Sequence, residues 1–263
     1  MTTTIMQIAD IHFGAVDEAA IAAVHAMEEE IAPDLVLVCG DITQRGRTEE
    51  YKDAHAWFKG FASPILAMPG NHDAPYYSPI ERLATPYARF EEYVGSLSLP
   101  DYIDEHVAIL PYNSARAVQA SLDWSTGAVD LDDLRKLVTR FKVEAPGRLH
   151  MLACHHPMIY PPESPLDKET ENGPEALQIL SDAGCDAVLT GHIHIPFVKD
   201  REPGKTGVLS IGAGTLSTRR RGVESSFNIL EIDEEGLSVT AVDFVEGVFT
   251  RRASWTKTRD AFS

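Results

Sequence analysis

Cysteine is scarce in this chain. Three cysteines in 263 residues (Cys39, Cys154 and Cys185) are too few, and odd in number, for a disulfide framework. They fit a reducing compartment, and a cytoplasmic location is expected. Basic residues are also outnumbered: 23 Lys and Arg against 40 Asp and Glu leave a net charge of −17. That balance argues against a nucleic-acid polymer or an anionic membrane surface as partner, since both need a basic face. No apolar run approaches the roughly 20 residues that cross a bilayer, so no membrane insertion is expected. The start Met1-Thr2-Thr3-Thr4 lacks the basic n-region of a signal peptide. There is no Gly/Ser linker, no internal repeat and no low-complexity tract. With 44% hydrophobic and 24% charged residues, the chain reads as an ordinary globular protein, residues 1–263 forming one domain.

What the sequence does contain is a recurring unit. Ile5-Met6-Gln7-Ile8-Ala9 leads into Asp10-Ile11-His12, and Leu35-Val36-Leu37-Val38-Cys39 into Gly40-Asp41. Ile65-Leu66-Ala67-Met68 leads into Pro69-Gly70-Asn71-His72-Asp73. The stretch from Leu149 to Cys154 ends at His155-His156-Pro157, and Ala187-Val188-Leu189-Thr190 at Gly191-His192-Ile193-His194. Each is a short apolar run read as a buried strand, with a polar side chain at its C-terminal tip. That is where open α/β sheets place their ligands.

Between the tips lie helical patterns. Asp17 is a plausible N-cap for a helix to Ile31, with Ile21, Val24, Met27 and Ile31 on one face. Further helices are expected from about Thr48, across about Pro79 to Val94, through Leu131–Phe141, and from about Glu175 to Ala183. A strand is expected at Val107–Leu110, leading to Pro111-Tyr112-Asn113-Ser114-Ala115-Arg116, with a polar loop following through about Ala128. Residues 157–174, rich in Pro and acids, read as a long surface loop, a candidate lid or substrate wall. From about residue 207 the pattern turns to antiparallel β, with Glu234-Glu235-Gly236 as a hairpin turn. The tail after Val248 is either a homo-oligomer contact or a closing strand.

The strand tips collect Asp10, His12, Asp41, Asn71, His155, His192 and His194, with no thiolate among them. Mixed N/O donor sets suit divalent Mn, Fe, Zn or Co. Seven donors exceed one tetrahedral ion and suit two ions sharing a bridge, for which Asp41, in the middle of the set, is the natural residue. Two metals about 3.5–4 Å apart clamp a phosphoryl group and activate water. In Asp10-x-His12 and His192-x-His194, side chains two apart in extended chain point to one side. An isolated Asp-x-His is more often an exposed polar pair than a ligand set, and Gly-Asp alone is common in turns; Gly-Asn-His-Asp at a strand end is unusual. Cys39 and Cys154 each extend an apolar strand and are not nucleophile candidates.

Taken together, these blocks resemble the motifs of the calcineurin-like metallophosphoesterases, over about residues 5–215. Gly40-Asp41-Ile42-Thr43-Gln44-Arg45, with Ser217-Thr218-Arg219 and Ser226-Phe227-Asn228, is similar to small bacterial class III phosphodiesterases of the cyclic nucleotide and glycerophosphodiester type. The resemblance implies a four-layer α/β/β/α sandwich. It implies Asp10, His12, Asp41 and His194 around a first metal, and Asp41, Asn71, His155 and His192 around a second, with His156 structural. It implies Mn or Fe, with Zn, Co or Mg as alternatives. His72 would meet the phosphate and steady or protonate the leaving oxygen, and Asp73 would orient His72. The implied reaction is hydrolysis of a small phosphodiester by a metal-bound hydroxide. Alternatives are a phosphomonoesterase, or a nucleotide- or lipid-pyrophosphate hydrolase, on the same site, and beyond these a non-catalytic metal-binding scaffold. Arg45, Asn113 and Arg219 are candidate substrate contacts, Arg116 and the rest of the Arg219-Arg220-Arg221 run being either anion contacts or solvated loop. Tyr76-Tyr77 could stack a base, wall a headgroup or simply pack.

Overall fold

The computed structural model describes residues 1–117, 125–166, 169–199 and 207–259. The chain opens with β1 (Thr3–Ile8), α1 (Glu18–Ile31), β2 (Leu35–Cys39), α2 (Thr48–Phe58) and β3 (Ile65–Met68). It continues with α3 (Pro79–Ala84), α4 (Ala88–Tyr93), β4 (Tyr102–Ile103), β5 (Val107–Pro111) and α5 (Leu131–Glu144). Next come β6 (Leu149–Ala153), α6 (Gly173–Asp182), β7 (Ala187–Thr190), β8 (Phe197–Lys199) and β9 (Leu209–Gly212). The last strands are β10 (Ser226–Ile232), β11 (Gly236–Val245) and β12 (Val248–Thr258).

Strand periodicity explains the layers. In β2 every residue is apolar, and successive side chains leave by opposite faces. Val36 and Val38 meet α1 and α2 through Val24, Tyr51 and Phe58. Leu35, Leu37 and Cys39 face a second sheet, against Val107, Met151 and Leu189. The far side of that sheet packs Leu152 and Val188 on Leu134, Val138 and Leu180 of α5 and α6. Three apolar clusters thus separate four layers, helix, sheet, sheet, helix, as the resemblance implied. The first sheet runs β12-β11-β10-β1-β2-β3 and the second β4-β5-β6-β7-β9-β8. β1, β2 and β3 are parallel, as are β5, β6, β7 and β9, so their C-terminal tips share one edge. A polar tie crosses between the sheets below that edge: Asn228 Nδ2 donates to Gln7 Oε1 (3.0 Å) and to the Gly212 carbonyl (3.0 Å), and Gln7 Nε2 to the Thr190 carbonyl (3.1 Å).

Asp17 caps α1 as expected, its carboxylate accepting the Ala20 N–H at 3.3 Å. The helix expected across 79–94 is two short ones, because Pro86 removes an N–H and pushes Thr85 out of the helical region (φ −146°, ψ 61°). In the late segment β9 departs from the antiparallel expectation: it runs parallel to β7 and antiparallel only to β8. β4 and β8, at two and three residues, are too short to show periodicity. The loop expected over 157–174 is partly interior, with Met158 and Tyr160 buried, and α6 begins at Gly173. Residues 118–124 of the expected polar loop, and 167–168, lie outside the described residues. The tail after Val248 forms β12, closed onto β11 by a Glu246-Gly247 turn whose φ values (51° and 87°) are those of a type I′ hairpin.

Leu230 is wholly buried between the two sheets. Leu230→Ala is expected to cost about 2–5 kcal/mol of stability, read as a lower denaturant midpoint at unchanged slope.

Candidate metal centre

The tips are held by strained backbone. Among the described residues eight non-glycine residues have positive φ, and five of them are Asp10, His12, Asp41, His192 and His194 (51–71°). The paired donors therefore converge from left-handed turns, not from the extended chain that the x-spacing suggested. Backbone bonds tie these turns to one another. Asp10 N–H donates to the Gly40 carbonyl and His12 N–H to that of Asp41, both at 3.0 Å. His192 N–H donates to Asp10 Oδ2 at 2.7 Å. Two glycines make room for the carboxylates and imidazoles. A Cβ on Gly40 would stand 2.7 Å from His155 Nδ1, and one on Gly70 2.2 Å from Asp41 Oδ1.

On one side of Asp41 lie Asp10, His12 and His194. His194 Nδ1 donates to the Arg219 carbonyl (2.7 Å), so its Nε2 carries a lone pair. That lone pair faces Asp10 Oδ1 at 3.1 Å and His12 Nε2 at 3.3 Å. Asp10 Oδ1, although so close, receives no hydrogen bond. Burial holds the His12 pKa well below the usual imidazole value, with His72, His194 and Arg219 adding to the effect against Asp41. The result is a buried set of acceptors turned toward one another, an arrangement that a cation stabilises.

On the other side lie His155 and His192, with Asn71 beyond. His155 Nδ1 donates to the Cys39 carbonyl (2.8 Å), and its Nε2 lies 3.3 Å from both Asp41 Oδ2 and His192 Nδ1. Burial lowers the His155 pKa, but the Asp41 charge outweighs it and raises the group to about 9. Burial likewise opposes ionisation of Asp41, yet His155, His72 and His12 hold its carboxyl well below the ordinary range. Asn71 is buried, and its Oδ1 lies 3.2 Å from Nε2 of His156. Overlapping groups of these side chains (Asp10-His12-His194, Asp10-Asp41-His155 and His155-His156-His192) each bring their donor atoms within 4.8 Å of one another. The donors present thus fit divalent metal.

His72 borders this centre. Its N–H donates to Asp41 Oδ1 (2.9 Å), its Nδ1 to the Gln44 carbonyl (2.7 Å), and its Nε2 accepts from Arg219 Nη1 (3.0 Å). The orienting role expected of Asp73 is corrected here: the Gln44 carbonyl orients the ring. The Asp73 carboxylate instead gathers the N–H groups of Gly70 (2.8 Å), Thr43 (2.8 Å) and Ile42 (3.2 Å) and the Thr43 hydroxyl (2.9 Å). It braces the Asp41 and Asn71 loops against each other. Burial, then the Asp41 charge, pushes the Asp73 carboxyl up to about 7 against those donors.

Of the expected substrate contacts, Arg219 reaches the centre, its Nη1 also lying 3.2 Å from His12 Nε2. Arg220 turns away to Asp17 and Glu224, and Arg116 pairs with Glu171 at 3.2 Å. Arg45 lines a cavity of about 380 Å³ whose walls include Asn71, His72, Gln44 and Tyr76. Arg45 Nη1 also donates to the Tyr77 hydroxyl (2.6 Å). Asn113 is exposed, and its Oδ1 accepts the Ala115 N–H at 2.9 Å. Sequence reasoning did not find Gln44 as a partner of His72, because a backbone carbonyl leaves no mark on residue type.

The layered fold and the clustered Asp and His donors are those of a metallophosphoesterase. Residues 3–196 match the profile of the Calcineurin-like phosphoesterase family, and the chain belongs to that family. It is 26% identical over 257 residues to a probable cyclic nucleotide phosphodiesterase of Synechococcus sp., covering 94% of each chain. It is 26% identical over 212 residues to a 3′,5′-cyclic-nucleotide phosphodiesterase of Nostoc sp., covering 75% of this chain and 74% of that one. In structure it resembles a dimetal phosphatase of Danio rerio, with a TM-score of 0.69, 13% identity, and 97% and 98% of the two chains covered. The protein is therefore a hydrolase of phosphoric esters, of a fold that carries divalent metal.

Gly70 has φ −108°, which any residue adopts, so Gly70→Ala tests the close approach alone. Its Cβ is expected to displace the Asp41 carboxylate and to weaken Mn binding by about 10–100-fold, as measured by calorimetric titration of metal-free protein.

Proposed function

We propose that the protein hydrolyses a small phosphodiester at a dinuclear centre bridged by Asp41. The observation that carries this reading is the pair of buried Asp and His clusters on either side of one carboxylate. Asp10, His12, Asp41 and His194 would hold the first ion, and Asp41, Asn71, His155 and His192 the second. A set of imidazoles, carboxylates and an amide oxygen, without thiolate, suits Mn or Fe. Two such ions polarise a phosphoryl group and let water supply the nucleophile near neutral pH.

The chain's own groups do the rest. Arg219 Nη1, between His12 and His72, is placed to share a non-bridging phosphoryl oxygen as charge spreads over the phosphorus. His72, pinned at Nδ1 by Gln44, presents Nε2 toward the leaving oxygen. The cavity beyond His72, walled by Tyr76 and Arg45, gives room for an organic leaving group that a phosphomonoester of a small alcohol would leave unfilled. The names of the two long-range relatives point to cyclic nucleotides as the first diesters to assay.

With Mn supplied, bis(4-nitrophenyl) phosphate is expected to turn over with a higher kcat/KM than 4-nitrophenyl phosphate; the reverse order would move the reading to a phosphomonoesterase. Asp41→Ala is expected to abolish metal uptake and turnover together. His72→Ala is expected to keep both ions by elemental analysis while kcat falls by about 10²–10⁴-fold; loss of metal would remove His72 from its role at the leaving group.

A further inference from the structure

One wholly buried imidazole beside the centre has no part in the reaction proposed above. His156 Nε2 lies 3.2 Å from Asn71 Oδ1 and 3.1 Å from the Ser125 carbonyl oxygen. Both are acceptors, so Nε2 carries the ring proton. Nδ1 lies 3.0 Å from Ser114 Oγ, and the same oxygen accepts the His156 backbone N–H at 3.0 Å. With that bond received, the Ser114 hydroxyl donates its own proton to Nδ1. The tautomer is thereby fixed from both ends. The ring is also caged: its centroid lies 4.6 Å from that of His155 and 4.5 Å from that of His192. Below it, a Cβ on Gly127 would stand 2.3 Å from the His156 Cγ.

This arrangement excludes His156 as a ligand in its own right. Although it clusters with His155 and His192, its only lone pair is spent on Ser114 and its Nε2 is a donor. What it can do is discriminate between the two ends of Asn71. A carboxamide is nearly the same shape after a half-turn, but one end accepts and the other donates. An N–H at Nε2 tolerates only the oxygen. That oxygen has a second lone pair, which is what a cation requires.

We propose that His156 is a positioning residue: held as a donor by Ser114 and seated over Gly127, it keeps the Asn71 amide oxygen, not its nitrogen, turned to the second ion. This rests on the reading of Asn71 as a ligand of that ion. Outer partners of this kind set metal affinity as strongly as some ligands do.

The test is titration of metal-free protein with Mn by calorimetry, with electron paramagnetic resonance of the loaded protein to distinguish a coupled Mn pair from isolated ions. His156→Ala should bind the first ion as wild type and the second about 10–100-fold more weakly, and the coupled-pair signal should give way to that of isolated Mn. Saturating Mn should then restore most of kcat, which a general loss of packing would not allow. His156→Gln, which keeps an amide donor, should recover part of the second-site affinity. Gly127→Ala, which keeps every donor, should reproduce the defect by displacing the ring. If His156→Ala does not fold, Ser114→Ala, which removes the tautomer lock and the acceptor of the His156 backbone N–H but keeps the ring, must show the second-site weakening. Wild-type uptake of both ions by His156→Ala, or by folded Ser114→Ala when that variant decides, would overturn the proposal. Asn71→Ala separates the two levels. If it loses the second ion while His156→Ala keeps it, only the positioning role falls; if it binds both ions normally, the ligand assignment of Asn71 falls and takes the positioning role with it.

Discussion

The structure depends on where the Asp41 carboxylate is held. One oxygen is fixed by the His72 N–H, and the other faces imidazoles from β1 and β6. Those imidazoles belong to different sheets, so the carboxylate meets both only while the sheets keep their relative position. The Gln7–Asn228 tie holds that position from below, by hydrogen bonds that an apolar contact between sliding faces would not specify. Glycine at position 70 leaves the gap in which the carboxylate sits. Each of these features has its use in relation to one side chain.

Strain in this chain is concentrated where the chemistry lies. Left-handed backbone at a non-glycine residue costs on the order of 1–3 kcal/mol, and five such residues carry candidate ligands. What tolerates that cost is the rigidity beneath: parallel strands with fully buried residues, and backbone bonds from tip to tip. The donors are also far apart in the chain; His192 N–H bonds Asp10 across 182 residues. The site cannot form until both halves of the molecule have folded, which ties its geometry to the whole core.

Much of this was legible in the residues. Apolar runs ending in Asp, Asn or His gave the strand tips, and the order of the blocks gave the family. Asp17 announced its helix. Other features were hidden for physical reasons. A two-residue strand such as β4 has no period to read. β9 has the same composition whether it pairs parallel or antiparallel. The x-spacing of Asp10 and His12 suggested extended chain, whereas backbone φ, which residue type records only weakly outside glycine, turned the pair inward. The support of His72 by Gln44 rather than Asp73 rests on a carbonyl that every residue possesses. His155 and His156 are identical in type, and only their hydrogen-bond partners separate an imidazole whose Nε2 is turned to Asp41 from one whose Nε2 proton is committed to Asn71 and Ser125.

Among the described residues β12 pairs with β11 alone and so forms one edge of the first sheet, a surface on which another strand could add. Its side chains include Arg251, Arg252 and Lys257 and no acid. Two copies meeting antiparallel about Ser254 would set Arg251 of each against Lys257 of the other, like charge on like charge at the spacing of a cross-strand pair. In a molecule of net charge −17, this run of cations makes the open edge a poor template for its own copy, so the sheet can stop there without a covering strand or helix and still resist growing into a fibre.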